Sequence, residues 1–432
     1  MSDRAQRKRR VRSRFRFRRF SPVIRLLSIL GPGLIAANAG NDAGGVATYS
    51  SAGASYGYNL LWALAITAVF VAVSQEICAR MGTVTGKGLA DLIREQFGVR
   101  WTVLAMLALL IANTGVTISE FIGVAASVQV LANDPHTPLI YLIVPLSGLV
   151  LWWFVTRGTY RRVEIAFLII SLGFLAYIPA AVAAQPDWHM VARGFIAPQF
   201  NIDANYWPTT AALVGTTLSP YMLFYIQSAV ADKGIRLEEY IYEKIDVYGS
   251  TFFSNTISAF IIIATGATLY VAHRAVITAA DAAFALRTFA GQYASLLFGL
   301  GLFGASLLAG AVLPLTTAYA ISEAFGFEHG VSRSFREAPV FQSIFTGMIV
   351  LGVLVSLIPG LPFIQVLIVL QDVNAAMVPI LLVFIILLVN NRHLMGRYAN
   401  KPVTNILAWI TTISVTVLVI LWLLNAIFGV AL

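Results

Sequence analysis

The stretch NAGNDAGGVATYSS, Asn38 to Ser51, lies inside a longer apolar run over residues 24–54. Its surroundings have the length and composition of a membrane-spanning helix. Yet it carries an aspartate, two asparagines and three glycines. A carboxylate is costly at the depth of a bilayer, and a broken helix leaves backbone groups that lipid cannot satisfy. Such a break is tolerated where it is packed in protein or lines a cavity. There its freed carbonyls, together with the Asp42 carboxylate, become ligands for a cation.

The rest of the chain supports a membrane setting. Of its 432 residues, 58% are hydrophobic and only 11% charged, against about 25% charged in a soluble domain. Eleven apolar segments recur, near residues 24–54, 59–82, 101–131, 138–156, 163–184, 207–230, 246–272, 290–322, 338–359, 362–390 and 403–430. Runs such as LLVFIILLV lack the alternation of a β-barrel strand. The expected architecture is therefore all-α and polytopic, with one transmembrane domain over residues 24–432 behind a basic tail, residues 1–23. There is no room for a separate soluble domain.

Charge sets the expected orientation. The N-terminal stretch through Arg25 holds 11 Lys/Arg, and the alternate connections bring that side to 26 against three, Arg193, Arg274 and Arg287, on the other. The positive-inside rule then places the N-terminus in the cytoplasm and, with eleven spans, the C-terminus outside the cell membrane. The tail, RKRRVRSRFRFRR at its core, reads as a topogenic segment that touches anionic lipid rather than nucleic acid. It is not a cleavable signal, because the apolar run behind it is too long and lacks a small-residue cleavage pattern. The single cysteine, Cys78, excludes an intrachain disulfide.

A second break, LVGTTLSPYMLFYIQSA (residues 213–229), opens the sixth segment. The two breaks each begin a set of five spans, over about residues 24–184 and 207–390, and residues 403–430 form an extra helix. Equivalent breaks in two halves are the mark of an inverted-repeat transporter with its site at the midplane. Taken alone, either break also fits close helix packing at glycines or a simple proline kink. Asp42 favours the site, because none of the five histidines lies mid-span to partner it.

Other polar residues leave alternatives open. Glu76 and Arg80, four apart, read as a structural helix pair. Glu120 is either a proton-path residue or a hydrogen-bonded structural acid. Gln371 and Asn374, three apart in IVLQDVNAAMVP, share a helix face, whereas Asp372 points elsewhere and has no assigned role. The histidines (His136, His189, His273, His329 and His393) fall in connections or at span ends, without zinc-site spacing. No nucleophile–base constellation or phosphate loop suggests an enzyme.

Several stretches resemble the Nramp family of divalent-metal transporters: GPGLIAANAGNDAGG (31–45), GYNLLWALAITAVF (57–70), ICARMGTVTGKGLADLIREQFG (77–98), SEFIGVAASVQVL (119–131), SPYMLFY (219–225), QVLIVLQDVNAAMVPILL (365–382) and NRHLMG (391–396). The resemblance implies the five-plus-five inverted-repeat fold of the leucine transporter and secondary transport of divalent metals. It also exposes departures. The family's Asp-Pro-Gly-Asn motif reads Asp42-Ala43-Gly44-Gly45, so an asparagine ligand becomes Gly45. Its Met-Pro-His motif reads Ser219-Pro220-Tyr221, and an acid that usually precedes the third-span glutamate reads Thr117. The pattern looks like the Nramp-related magnesium transporters. A soft thioether favours transition metals, whereas an oxygen-only, roomier site suits magnesium, which keeps several waters.

The expectation is a carrier moving largely hydrated Mg2+, with Mn2+ as a second candidate, into the cytoplasm without strong proton coupling. The ion is its substrate, and no cofactor or obligate protein partner is expected. Asp42 is the charged ligand. Gly45, Gly215 and Thr216 supply backbone groups, Thr217, Tyr221 and Gln371 outer-shell groups, and Glu120 is the candidate proton-path residue. The alternatives are a proton-coupled Mn2+/Fe2+ symporter, a sodium-coupled amino-acid carrier sharing only the fold, and a non-transporting membrane sensor.

Overall fold

The computed structural model describes residues 41–157, 169, 172–199, 205–235, 237–330 and 333–428. The basic tail, Pro32 and the first half of the first predicted span lie outside the described residues, as do Arg161, Arg162 and Arg236. Among the described residues the chain is helical, without strands.

The main helices among the described residues are α1 (Ala43–Tyr56), α2 (Leu61–Thr85), α3 (Leu89–Ala132), α4 (Ile140–Thr156), α5 (Leu172–Ala183), α6 (Trp188–Ile196), α7 (Tyr206–Thr217), α8 (Pro220–Lys233), α9 (Tyr240–Thr265), α10 (Ala279–Phe284), α11 (Ala294–Phe325), α12 (Pro339–Ser356), α13 (Phe363–Asn390) and α14 (Pro402–Phe428). Among the described residues, seven helical segments are long and apolar enough to cross a membrane: α2, α3, α9, α11 with the short turns before it, α12, α13 and α14. The shorter apolar helices α4 and α5, the interrupted segment α7–α8, and α1, the described second half of the first segment, fall on the other predicted spans.

The third segment is longer than expected. It starts at Leu89, because Leu89, Ala90, Leu92 and Ile93 form an amphipathic first part that packs inward. Gly98, at φ 76°, then turns the chain into the span proper. Helix α11 is the most enclosed, with 78% of its apolar window buried, whereas α14 lies at the periphery with 28%. Leu142, Leu149, Phe252, Ile406 and Ile413 point outward, as lipid-facing side chains do in a spanning bundle. Helix α3 runs along α11 and α13; α1 packs on α9, α7 and α13; and α7 packs on α13. The start of α1 is thereby enclosed by α3, α9, α11 and α13, and the α7–α8 break lies against α13.

Candidate metal-ion site

In the first segment the described residues open with Asn41 and Asp42, directly ahead of α1. The Asp42 backbone is extended (φ −74°, ψ −178°), and its carboxylate caps α1 by accepting the Gly45 N–H at 2.6 Å. Aspartate suits this position because a helix start leaves N–H groups unsatisfied. Asp42 Oδ2 is buried and has no hydrogen-bond partner; the Thr216 hydroxyl faces the same carboxylate, and its Oγ1 also lacks a partner.

The second break is confined to Leu218 and Ser219. Pro220 has no N–H to give and disfavours a helical residue before it. Ser219 is accordingly extended (φ −87°, ψ 140°), and Pro220 opens α8 at its first position, where proline fits. The Leu218 N–H still reaches the Val214 carbonyl at 2.8 Å. The Gly215 and Thr216 carbonyls lose their helical partners. Ser219 Oγ donates to them at 3.1 and 3.3 Å, and Asn374 Nδ2 donates to Gly215 O at 2.8 Å and to Ser219 Oγ at 2.9 Å. The Gly215 carbonyl, expected to face an ion, is thus held by two donors from the protein.

Two glycines make the enclosure close. A Cβ on Gly44 would collide with Gln371 Nε2 and with Ser119 Oγ; one on Gly215 would collide with the Gln371 carbonyl and Ala375. Gln371 and Asn374 share a face of α13, as their spacing predicted, and Gln371 Nε2 is buried without a partner. Asp372 is buried on another side, where its carboxyl meets the Trp422 indole of α14.

Glu120, on α3, is fully buried. Its Oε2 accepts the Ala43 N–H at 3.4 Å, and its Oε1 is unpartnered. The Asp42 carboxylate and the Ser306 hydroxyl of α11 face it. Tyr221 is fully buried with its hydroxyl unpartnered, and Asp42 and Glu120 are the acidic groups near it. Asp42, Glu120, Thr216, Tyr221 and Gln371 therefore converge. Gly45 contributes its N–H to Asp42. Thr217 does not join them: its hydroxyl bonds Leu213 O at 2.6 Å and the Tyr49 hydroxyl at 2.8 Å. It lines a separate cavity of about 10 Å³ with Gln75, Met222, Thr251, Ser254 and Asn255, room for about one water.

Sequence reasoning missed three parts. The Asn41 amide is clasped by α9, donating to Ser254 Oγ at 3.1 Å and accepting from Ser258 Oγ at 3.0 Å. The i, i+4 spacing of those serines was the available signal. Ser119 and Ser306 look like ordinary small residues for close helix packing. The Glu76–Arg80 pair, at 3.5 Å, is a structural tether as expected, and it extends further: Tyr240 of α9 donates to Glu76, and Arg80 donates to Asn400 Oδ1 at 2.5 Å. All five histidines are exposed. Among the described residues, no group of three or more His, Cys, Asp or Glu side chains is placed to hold a metal ion. The cluster around Asp42 is thus two carboxylates and several neutral oxygens, enclosed between the start of α1 and the α7–α8 break.

The family model described as "Natural resistance-associated macrophage protein-like" matches residues 33–425. Divalent metal cation transporter MntH of Yersinia pestis is 29% identical over 409 residues, covering 90% of this chain and 93% of that protein. MntH of Deinococcus radiodurans is 26% identical, with 92% and 89% covered. Among solved structures, a manganese transporter of Eremococcus coleocola, crystallised with an aromatic bis-isothiourea substituted compound, superposes with a TM-score of 0.71 at 19% identity, covering 93% of this chain and 86% of its own. MHP1, a nucleobase-cation-symport-1 family transporter, gives 0.57 at 13% identity, with 92% and 93% covered. Those likenesses show the fold, the five-plus-five arrangement of broken-helix carriers. With nearly its whole length matched, this multi-pass membrane protein belongs to the Nramp family.

Proposed function

We propose that the protein carries largely hydrated Mg2+, with Mn2+ as a competing substrate, into the cytoplasm without stoichiometric proton entry. Divalent-cation transport follows from the family and from its MntH relatives. The observation that carries the finer reading is the donor set. The unpartnered buried atoms around Asp42 are oxygens of Asp42, Glu120, Ser119, Thr216, Tyr221 and Ser306, plus the Gln371 amide nitrogen. Hard oxygens suit magnesium and manganese, and neutral hydroxyls are partners for the water that magnesium retains. The nearby thioether, Met222, faces Gln75 at 3.6 Å in the separate cavity beyond Tyr49 and Thr217. Thr117, at the usual acid position, donates to Asn113 O at 2.7 Å and cannot carry a proton in exchange for charge.

Charge distribution supports a cytoplasmic N-terminus and a C-terminus outside. An inside-negative potential then drives a divalent ion inward by about 4.6 kcal/mol per 100 mV, enough for uptake without protons. A second reading, a proton-coupled Mn2+ carrier, draws on the manganese-transporting relative and on the place of Glu120 beside Asp42. Proteoliposomes holding a pH-sensitive dye separate the two. The expected result is Mg2+ uptake, in competition with Mn2+, at constant lumenal pH. Acidification in step with uptake overturns the uncoupled reading, and Mn2+ uptake that ignores excess Mg2+ overturns the magnesium reading.

A further inference from the structure

We propose that Glu120 supplies the second negative charge of the cation site, so that Asp42 and Glu120 together neutralise one divalent ion. The inference rests on the cation-site reading above and concerns what selects double charge within it.

The two carboxylates occupy one helix start. Asp42 Oδ1 takes the Gly45 N–H, and Glu120 Oε2 takes the Ala43 N–H. These bonds and the positive end of the α1 dipole favour ionised acids at this point. They also leave one oxygen of each, Asp42 Oδ2 and Glu120 Oε1, buried with only the neutral hydroxyls of Thr216 and Ser306 beside the two carboxylates. A fully buried carboxylate in a membrane protein is retained at substantial cost unless a cation or donor completes it. Among the described residues, no lysine, arginine or histidine contributes to either group. The side chains that surround them are neutral: Thr216 beside Asp42, Ser306 beside Glu120, and Tyr221 near both. Each has a hydroxyl without a partner.

The charge balance follows. Two carboxylates match one divalent ion; a monovalent ion leaves one negative charge uncompensated in a low-dielectric enclosure, where that imbalance is most costly. With Thr117 at the neighbouring position, no third acid among the described residues disturbs the balance. The hydroxyls of Ser306, Thr216 and Tyr221 then stand where water carried by the ion finds partners. A purely relaying acid needs a titratable neighbour leading away from the site. Among the described residues the groups around Glu120 are Asp42, the Ala43 N–H, Ser306 and Tyr221, all of which also border the ion position.

The test is equilibrium binding of MgCl2 and MnCl2 to the purified full chain, by calorimetry and by the ion-dependent rise in melting temperature at fixed pH. The proteins are wild type, Glu120→Gln, Glu120→Asp and Asp42→Asn, with NaCl as monovalent competitor. Glu120→Gln is expected to weaken both divalent ions tenfold or more and to make NaCl a better competitor. Glu120→Asp, which keeps the charge and withdraws it by one methylene, is expected to fall between Glu120→Gln and wild type. It tests the proposal even if the glutamine variant does not fold. Divalent affinity within twofold of wild type in the Glu120 variants, with binding lost in Asp42→Asn, overturns the role of Glu120 alone. Unchanged binding in Asp42→Asn as well overturns the cation-site reading itself.

Discussion

The α7–α8 break depends on a carbonyl that has two donors, and this makes a double-mutant cycle informative. Gly215 O accepts from Asn374 Nδ2 at 2.8 Å and from Ser219 Oγ at 3.1 Å. Ser219→Ala removes one donor and leaves the better one, which should cost about 0.5–1 kcal/mol. Asn374→Ala removes the other, together with its bond to Ser219 Oγ, and leaves a small cavity; about 1–2 kcal/mol is expected. In the double variant the buried carbonyl has no donor from the protein, an added cost of about 1–3 kcal/mol. A smaller effect opposes this. The Asn374–Ser219 bond is lost in each single variant but only once in the double, which returns about 0.6 kcal/mol, the average for such bonds between membrane helices. Orphaning the carbonyl outweighs that return, so the double variant should be less stable than the sum of the singles by about 0.5–2 kcal/mol. Unfolding in mixed micelles, followed by tryptophan fluorescence, measures the four stabilities. Uptake should fall in the same order, because Thr216 and Asp42 face each other across this break. An additive or sub-additive double variant would refute the reasoning, since the Gly215 carbonyl would then have found another partner.

Asp42→Ala should abolish divalent transport while the protein still folds and inserts, because the lost carboxylate serves the ion and one capping bond; normal uptake by the folded variant would sink the site assignment. Gly45→Asn with Ser219→Met should raise the Mn2+ to Mg2+ uptake ratio in a competition assay, by restoring an amide and a thioether, with lower total uptake because methionine displaces the Ser219–Asn374 contact. An unchanged ratio would place selectivity elsewhere. Outside the spans, Asp281 is pushed up by burial, but the Thr278 N–H and hydroxyl and the Arg274 guanidinium outweigh that and hold its carboxyl below the usual range. Its stabilising contribution is therefore present above the unfolded value, about 3.9, and is lost as pH falls through the lower folded value. Asp281→Asn should lower the melting temperature at pH 7, and the difference from wild type should shrink toward pH 3; a constant difference would exclude the ionised carboxylate as its source.

What the sequence determined by itself were properties local to each segment. Apolar length marks a span whatever its neighbours are, and a charge or a proline in hydrocarbon is costly wherever it stands. Hence the membrane class, the break before Pro220 and the shared face of Gln371 and Asn374 could all be read without coordinates, and Asp42 could be singled out as the acid to test. The same locality explains the misjudged start of α3: the amphipathic residues 89–97 are too short and too charged to read as part of a span, and they are helical because Leu89, Leu92 and Ile93 pack inward. Tertiary structure alone decided which polar groups meet. Glu120 reaches the Ala43 N–H across 77 residues of chain, and Asn374 reaches Gly215 across 159. Thr217 turns to Tyr49 instead of Asp42, and Asp372 turns to Trp422 of the peripheral helix. These pairings depend on the rotation and height of α3, α7 and α13 against one another. Helix packing fixes those quantities through side-chain shape along whole interfaces, and periodicity within a single segment carries no record of them.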